Sequence, residues 1–297
     1  MTINPIPQSE FTLNTNDGLA LYARSWGDPQ ASRAAVVLVH GLGEHCSRYG
    51  HVAQALVSEG LYVLGFDQRG HGRSPGKRGL ISSYDQPLDD IAVALERAQT
   101  DAPDLPLFLY GHSLGGLEVL HYGLVRKPDL QGVIATSPAL MISTSTLNRL
   151  MAGLMKHLAP NMIVANGLDA SALSHDPLVG QAYLQDPLVH DKVSVRLGSY
   201  MMDVGNYVIT HAKEWALPLY LAHGTADCIC QFEGSAQFAA RAGEMVTFHP
   251  WEGLYHETHN ELNKDEVIQA MIDWLSVQIR VNNPNFGKPE LKSEPPA

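Results

Sequence analysis

Five short runs of this chain show no polar alternation: Ala35 to Val39, Tyr62 to Phe66, Leu107 to Tyr110, Val133 to Ala135 and Leu219 to Ala222. A strand with one face in water alternates apolar and polar residues, so runs without alternation read as strands covered on both faces. Helix-like stretches, notably His51 to Ser58 and Leu88 to Thr100, fall between them. That order predicts an α/β fold, a mostly parallel central sheet flanked by helices. Upstream, Phe11 to Leu13 and Leu19 to Ser25 flank Asn16-Asp17-Gly18, a hairpin signal because Asp-Gly tolerates positive φ. Val246 to Phe248 reads as a last strand. Lys264 to Ile279 reads as a closing helix with Val267, Ile268, Met271, Ile272 and Leu275 on one face.

The rhythm breaks between about Leu140 and His211, where the pattern predicts helices and loops with no strand. An insertion of that size at a strand end is a natural lid. The expected organisation is a core of residues 1–139 and 212–280, a mainly helical cap of residues 140–211, and a poorly ordered tail of residues 281–297 containing four prolines.

The balance of charges narrows the partners. The 297 residues include 20 Lys plus Arg against 31 Asp plus Glu, a net charge of -11, which repels phosphate backbones and makes nucleic acid an unsuitable ligand. Hydrophobic residues make up 45%, ample for a large core. No stretch reaches the roughly 18 consecutive apolar residues of a membrane span. Met1 to Glu10 has neither basic flank nor apolar run, so no secretory leader is expected. Three cysteines, Cys46, Cys228 and Cys230, cannot make a disulfide framework and suit a reducing cytoplasm.

Chemistry concentrates in a few segments. Gly111-His112-Ser113-Leu114-Gly115-Gly116 directly follows the run Leu107 to Tyr110. A serine at a tight strand-to-helix turn needs small neighbours, and Gly111 and Gly115 supply them, presenting Ser113 at the carboxyl end of the sheet. The amide of Leu114 then falls at a helix N-terminus, where partial positive charge stabilises an oxyanion. His40-Gly41-Leu42-Gly43-Glu44-His45 follows the strand ending at Val39, and the amide of Leu42 is the candidate second oxyanion donor. His40 and His45 read as loop packing.

These segments, with Arg48-Tyr49 and Asp67-Gln68-Arg69-Gly70-His71-Gly72-Arg73-Ser74 between them, resemble the α/β-hydrolase superfamily. The resemblance is to its monoacylglycerol lipase and lysophospholipase-like branch, sometimes filed with serine aminopeptidases, and it covers roughly residues 10 to 280. It implies the order nucleophile, acid, base. Asp227, in His223-Gly224-Thr225-Ala226-Asp227, matches the acid position, with Glu214 and Glu233 as competitors. Of 14 histidines only His249, His256 and His259 follow that acid. Gly253-Leu254-Tyr255-His256-Glu257 resembles the branch's histidine segment, so His256 is expected as general base. His259 is the alternative, or else a surface residue starting the last helix, and His249 reads as a packed strand-end residue. Asp67 to Ser74 reads as structural turn chemistry beneath the site.

No metal or cofactor is expected. Cys228-Ile229-Cys230 has too short a gap for a zinc pair, and His256-Glu257-Thr258-His259 is one residue short of the H-E-x-x-H spacing. The cysteines are expected to be small buried thiols near the site. Leu147, Leu150, Met151, Leu154, Met155 and Leu158 recur at helical spacing, which predicts a cap helix burying that stripe on the core. The alternatives are an acyl tunnel and transient contact with lipid. The expected protein is a serine carboxylic-ester hydrolase acting on monoacylglycerol-like acyl esters. Lysophospholipase, small-peptide aminopeptidase or acyltransferase activity stands as the alternative.

Overall fold

The computed structural model describes residues 6–143 and 153–282. Its centre is an eight-stranded sheet. The strands are β1 (Gln8–Asn14), β2 (Ala20–Trp26), β3 (Ala34–Val39), β4 (Leu61–Phe66), β5 (Leu107–His112), β6 (Gly132–Thr136), β9 (Leu219–Gly224) and β10 (Val246–Trp251). They lie in the order β1-β2-β4-β3-β5-β6-β9-β10. From β4 to β10 all pairings are parallel, while β2 runs antiparallel to both β1 and β4.

The sequence of β3, Ala-Ala-Val-Val-Leu-Val, shows why unbroken apolar runs make central strands. Side chains alternate across a sheet, so Ala35, Val37 and Val39 enter one apolar cluster while Ala34, Val36 and Leu38 enter the other. Every one of the six is buried. Full burial of each Val or Leu is worth about 1.5–3 kcal/mol. The first cluster is covered by α2 (Gln86–Asp101), α3 (Leu114–Arg126), α6 (Val195–Thr210) and α7 (Phe232–Ala242), through residues such as Ile91, Leu117, Val208 and Phe238. The second is covered by α1 (Gly50–Ser58) and α8 (Lys264–Asn282), through Val52, Leu56, Ile268 and Leu275. The Asn16-Asp17-Gly18 hairpin joins β1 to β2 as its composition predicts, with Gly18 at φ 85°.

The segment between β6 and β9 departs from expectation in two ways. First, it contains a two-stranded antiparallel ribbon, β7 (Ile163–Ala165) and β8 (Lys192–Ser194), where no strand was expected. Three residues are too few for an alternation to register, and Val164 opposite Val193 is its only apolar pair. The ribbon joins the insertion to core loops: the Ser194 amide donates to Gly79 O at 2.8 Å and the His190 amide to Gly43 O at 2.9 Å.

Second, the apolar stripe is not buried where it is described. Leu154 and Leu158, on α4 (153–158 in its described part), are 57% and 70% exposed. Leu147, Leu150 and Met151 lie outside the described residues. A six-residue apolar stripe at helical spacing specifies a helix face, but not whether protein or solvent meets it. Helix α5 (Pro177–Gln185) completes the segment, starting at Asp176, whose carboxylate accepts from the Leu178 amide at 3.0 Å. At the other end, α8 runs through Asn282, past the expected start of the tail, and residues 283–297 lie outside the described set.

Candidate active site

Strand β5 delivers Ser113 at a backbone turn of φ 55° and ψ −115°, a region costly for a residue with a Cβ. The glycines around it are required by crowding. A Cβ on Gly111 would lie 2.2 Å from Gly115 O, and one on Gly115 would lie 2.2 Å from Val39 O. The turn is held from both sides: the Ser113 amide donates to Thr136 O at 3.0 Å, and Ser113 O accepts from Ala139 at 2.9 Å. Helix α3 starts at Leu114, so that residue's amide has no intrahelical acceptor and points out of the helix N-terminus.

Three side chains from three separate loops converge. The Ser113 hydroxyl donates to His256 Nε2 at 2.9 Å, and His256 Nδ1 donates to Asp227 Oδ2 at 2.7 Å. Asp227 follows β9, and His256 lies in the loop after β10, so the parallel sheet brings positions 143 residues apart into hydrogen-bond contact. Asp227 Oδ1 also accepts from the amides of Ile229 at 2.8 Å and Cys230 at 3.0 Å. His223, buried beside it, places Nε2 3.1 Å from Oδ2. Ser137 Oγ donates to His256 O at 2.7 Å and fixes the histidine loop.

The electrostatics follow from burial and these partners. Burial pushes the Asp227 carboxyl upward, but the charge of His256 and hydrogen bonds from His223 and His256 outweigh it and hold it well below the usual carboxylate range. Burial pulls the His256 imidazole downward. The charge and hydrogen bond of Asp227, with Glu257 and Glu44 behind them, overcome that pull and leave it raised. Neighbouring His112, fully enclosed, is lowered to about 3 by burial and by the charge of His256, and therefore stays neutral.

The second loop is organised by a carboxylate. Glu44 Oε1 accepts from the Gly41 amide at 2.6 Å and from the Tyr49 hydroxyl at 2.7 Å. This folds Gly41 and Leu42 over the serine, since a Cβ on Gly41 would sit 3.2 Å from Ser113 Cβ. Arg48 pairs with Glu44 and also clasps Glu257, the residue after the histidine, at 2.7 and 2.8 Å. Neither Glu44 nor Glu257 was singled out from sequence; the Glu44–Arg48 spacing of four was the available signal.

Other expectations resolve individually. Glu214 and Glu233 are exposed. His259 is buried, stacked on Tyr49 at 4.9 Å, and is not the surface residue its position at a helix start suggested. His249 belongs to β10 and stacks on Trp251 at 4.1 Å. The Asp67 carboxylate accepts from the amides of Cys46 at 2.9 Å and Arg73 at 2.8 Å, and Arg69 pairs with Asp90 and Asp17, which is turn architecture. Of the two thiols near the site, Cys230 is buried but Cys228 is exposed, which corrects the expectation of two buried ones.

Ser113 and His256 open into a cavity of about 310 Å³. Leu42, Ile142, Leu168, Leu173, Met201 and Ile229 give it apolar walls, four of them from the segment between β6 and β9. A hydroxyl, an imidazole and a carboxylate in one hydrogen-bonded line, with backbone amides beside an apolar chamber, make an arrangement that can carry acyl transfer.

Comparison with known proteins shows the family. The sequence model of the family described as serine aminopeptidase, S33, matches residues 30–263. An abhydrolase domain-containing protein of Dictyostelium discoideum is 38% identical over 91% of this chain, which spans 29% of that larger protein. A monoacylglycerol lipase of Mycolicibacterium smegmatis is 34% identical, with 90% of this chain and 97% of the lipase covered. Among solved structures, the monoacylglycerol lipase of Paleococcus ferrophilus superposes with a TM-score of 0.77 at 33% identity, covering 93% of this chain and all of that one.

Proposed function

This chain belongs to the serine aminopeptidase S33 family of α/β-hydrolases, in its monoacylglycerol lipase-like branch, and is a serine ester hydrolase; from that premise we propose that it cleaves monoacylglycerol-like esters through an acyl-enzyme on Ser113. The observation that carries the reading is the Ser113–His256–Asp227 chain of hydrogen bonds, at 2.9 and 2.7 Å, on the wall of an apolar cavity.

The steps follow from the geometry. His256 Nε2 takes the hydroxyl proton as Ser113 Oγ attacks the ester carbonyl carbon. The oxygen that becomes negative is received by the amides of Leu42 and Leu114, a pair of donors whose individual loss costs about 10²–10³ in rate in comparable sites. His256 then hands its proton to the departing alcohol, leaving the acyl group on Ser113. Water attacks that ester with His256 again as base, and the carboxylic acid leaves. Asp227 stays ionised throughout and supports the imidazolium.

Residues 140–211 act as the cap over a core of residues 1–139 and 212–280. Leu168, Leu173 and Met201 bring apolar surface to the acyl chain, and the proton and acyl transfers need no cofactor. The exposed apolar residues Leu154, Leu158, Met162 and Val164 are the face that touches lipid during substrate capture. The free state of Cys46, Cys228 and Cys230 fits a cytoplasmic enzyme.

The test is a rate comparison across glycerol monoesters, p-nitrophenyl esters from acetate to palmitate, a lysophospholipid and an amino-acid anilide. Glycerol monoesters of medium or long chains should give the highest kcat/KM. Preference for the anilide or the lysophospholipid would overturn the substrate assignment and leave the ester-cleaving machinery standing.

A further inference from the structure

Helix α3 carries a glutamate that the reaction does not use. Glu118, one turn beyond Leu114, is 1% exposed, and neither carboxyl oxygen has a hydrogen-bond partner among the described residues. An unpartnered carboxyl in a core costs several kcal/mol unless something else satisfies it. His71, from the turn after β4, presents a third bare atom. Its Nδ1 lies 3.0 Å from Arg69 O, a carbonyl that only accepts, so Nδ1 carries the proton and Nε2 is a lone pair with no donor among the described residues. His71 is 2% exposed.

Glu118 and His71 line the same cavity, together with Gln68, Asp90, Leu114 and Leu197. Its volume is about 10 Å³. That is close to the minimum of about 10–15 Å³ that one water requires. Three polar atoms without partners and room for one small polar molecule define a site.

We propose that this cavity is a binding site for a single internal water, held between a neutral Glu118 carboxylic acid and His71 Nε2. The acid O–H donates to the water oxygen, and the water donates one hydrogen to His71 Nε2 and the other toward the Glu118 carbonyl oxygen. One water has two hydrogens for three acceptors, so donating to both oxygens of a carboxylate would leave His71 Nε2 without a donor, whereas the neutral acid brings a third. The surrounding charges agree. Arg69 spends its guanidinium on Asp90, at 2.7 Å to each oxygen, and on Asp17. Burial raises the Asp90 carboxyl and the Arg69 ion pair works against that; Asp90 faces Glu118 as the carboxylate of that pair, Tyr200 packs from α6, and the His71 ring is kept neutral by burial. Burial first, and Asp90 second, push the Glu118 carboxyl well above its usual 4.5. The water thus ties α3 to the turn after β4, beside Leu114. This site stands whether or not the ester-cleaving assignment does.

The linkage has a definite sign. Above pH 4.5 the unfolded chain releases the Glu118 proton while the folded chain keeps it, so the folded state binds more protons and this contribution falls as pH rises. Glu118→Gln removes the titration and keeps a donor and an acceptor for the water. Its melting temperature relative to the parent should therefore rise by a few degrees between pH 5 and pH 8. Infrared spectra of the full chain at pH 8 should show a carboxylic-acid C=O stretch that Glu118→Gln abolishes. A crystal structure of the parent at atomic resolution should show one ordered solvent peak within hydrogen-bond distance of Glu118 and His71 Nε2, a result that needs no variant to fold. A dry cavity, or Glu118 turned onto a protein partner, would overturn the proposal. So would the absence of the acid band, or a melting difference that does not change with pH.

Discussion

Arg48 reaches across 209 positions of sequence to grip both oxygens of Glu257, Nη1 to Oε1 at 2.7 Å and Nη2 to Oε2 at 2.8 Å. Because Glu257 follows the proposed base and Glu44, the other partner of Arg48, holds Gly41, one guanidinium joins the histidine loop to the oxyanion loop. Burial opposes the Arg48 charge, and the carboxylates of Glu257 and Glu44 outweigh it and keep the guanidinium paired.

Replacing it should therefore damage rate as well as stability. Arg48→Met leaves two buried carboxylates unpaired, and breaking such a network costs about 3–5 kcal/mol. At a temperature where the variant remains folded, kcat should drop by about tenfold to a hundredfold through loss of alignment, with KM changed less. Urea denaturation and ester kinetics on the same preparation check both effects. An unchanged kcat in a destabilised protein would confine Arg48 to a structural role.

The pH dependence follows from the raised imidazole of His256. Only neutral His256 can take the Ser113 proton, so kcat/KM should rise with pH through a single protonation and level off above it. Since the Asp227 carboxylate lifts that group, the midpoint should lie above the ordinary histidine value of 6.5. His112 is already neutral at about 3 and adds no second step. A profile of kcat/KM from acid to mildly alkaline pH, on an ester that does not itself ionise, reads the midpoint directly. A midpoint below 6.5 would mean that desolvation and not Asp227 governs the base.

How much of this was legible in the chain depends on how many residues carried each signal. β3, β4, β5, β6 and β9 announced themselves because both faces are buried and no polar residue interrupts the run. The glycine pattern around Ser113 was readable because backbone crowding at 2.2 Å leaves no other residue type there. The β7–β8 ribbon was not, since its pairing rests on backbone bonds between three-residue strands. Glu44, Arg48 and Glu257 were equally opaque as a set, because their meeting is a product of sheet order and not of local spacing. The exposure of Cys228 and the burial of His259 depend on how loops after β9 and β10 fold back, which residue type alone does not reveal.

The exposed positions of α4 give a prediction that separates lipid contact from packing. Leu154→Ser and Leu158→Ser remove apolar surface that the fold already leaves in solvent. Stability should change by no more than about 0.5 kcal/mol, the usual range for surface substitutions. Rates on a water-soluble butyrate ester should hold, while co-sedimentation with lipid vesicles and rates on emulsified substrate should fall. A large drop in melting temperature would show that these leucines pack against protein.

The thiols should differ sharply in reactivity. Burial pushes the Cys46 and Cys230 thiols well above their usual range, and only Cys228 is exposed, on the wall of the candidate acyl cavity. Treatment of the folded protein with a bulky maleimide should add one group, at Cys228, and slow long-chain esters more than acetate. Cys228→Ser should be unlabelled and unaffected. Labelling of two or three cysteines in the folded state would contradict the packing of this loop.

The central claim is that Ser113 is the residue that becomes acylated, and a fluorophosphonate probe tests it most directly. Intact-mass spectrometry should find a single adduct on the parent, mapped by peptide sequencing to Ser113, and none on Ser113→Ala. The same variant should retain the parent's melting curve and lose about 10⁴-fold or more in kcat, since only binding and the oxyanion amides remain. An adduct that persists on folded Ser113→Ala, or ester turnover that survives the substitution, would contradict the account.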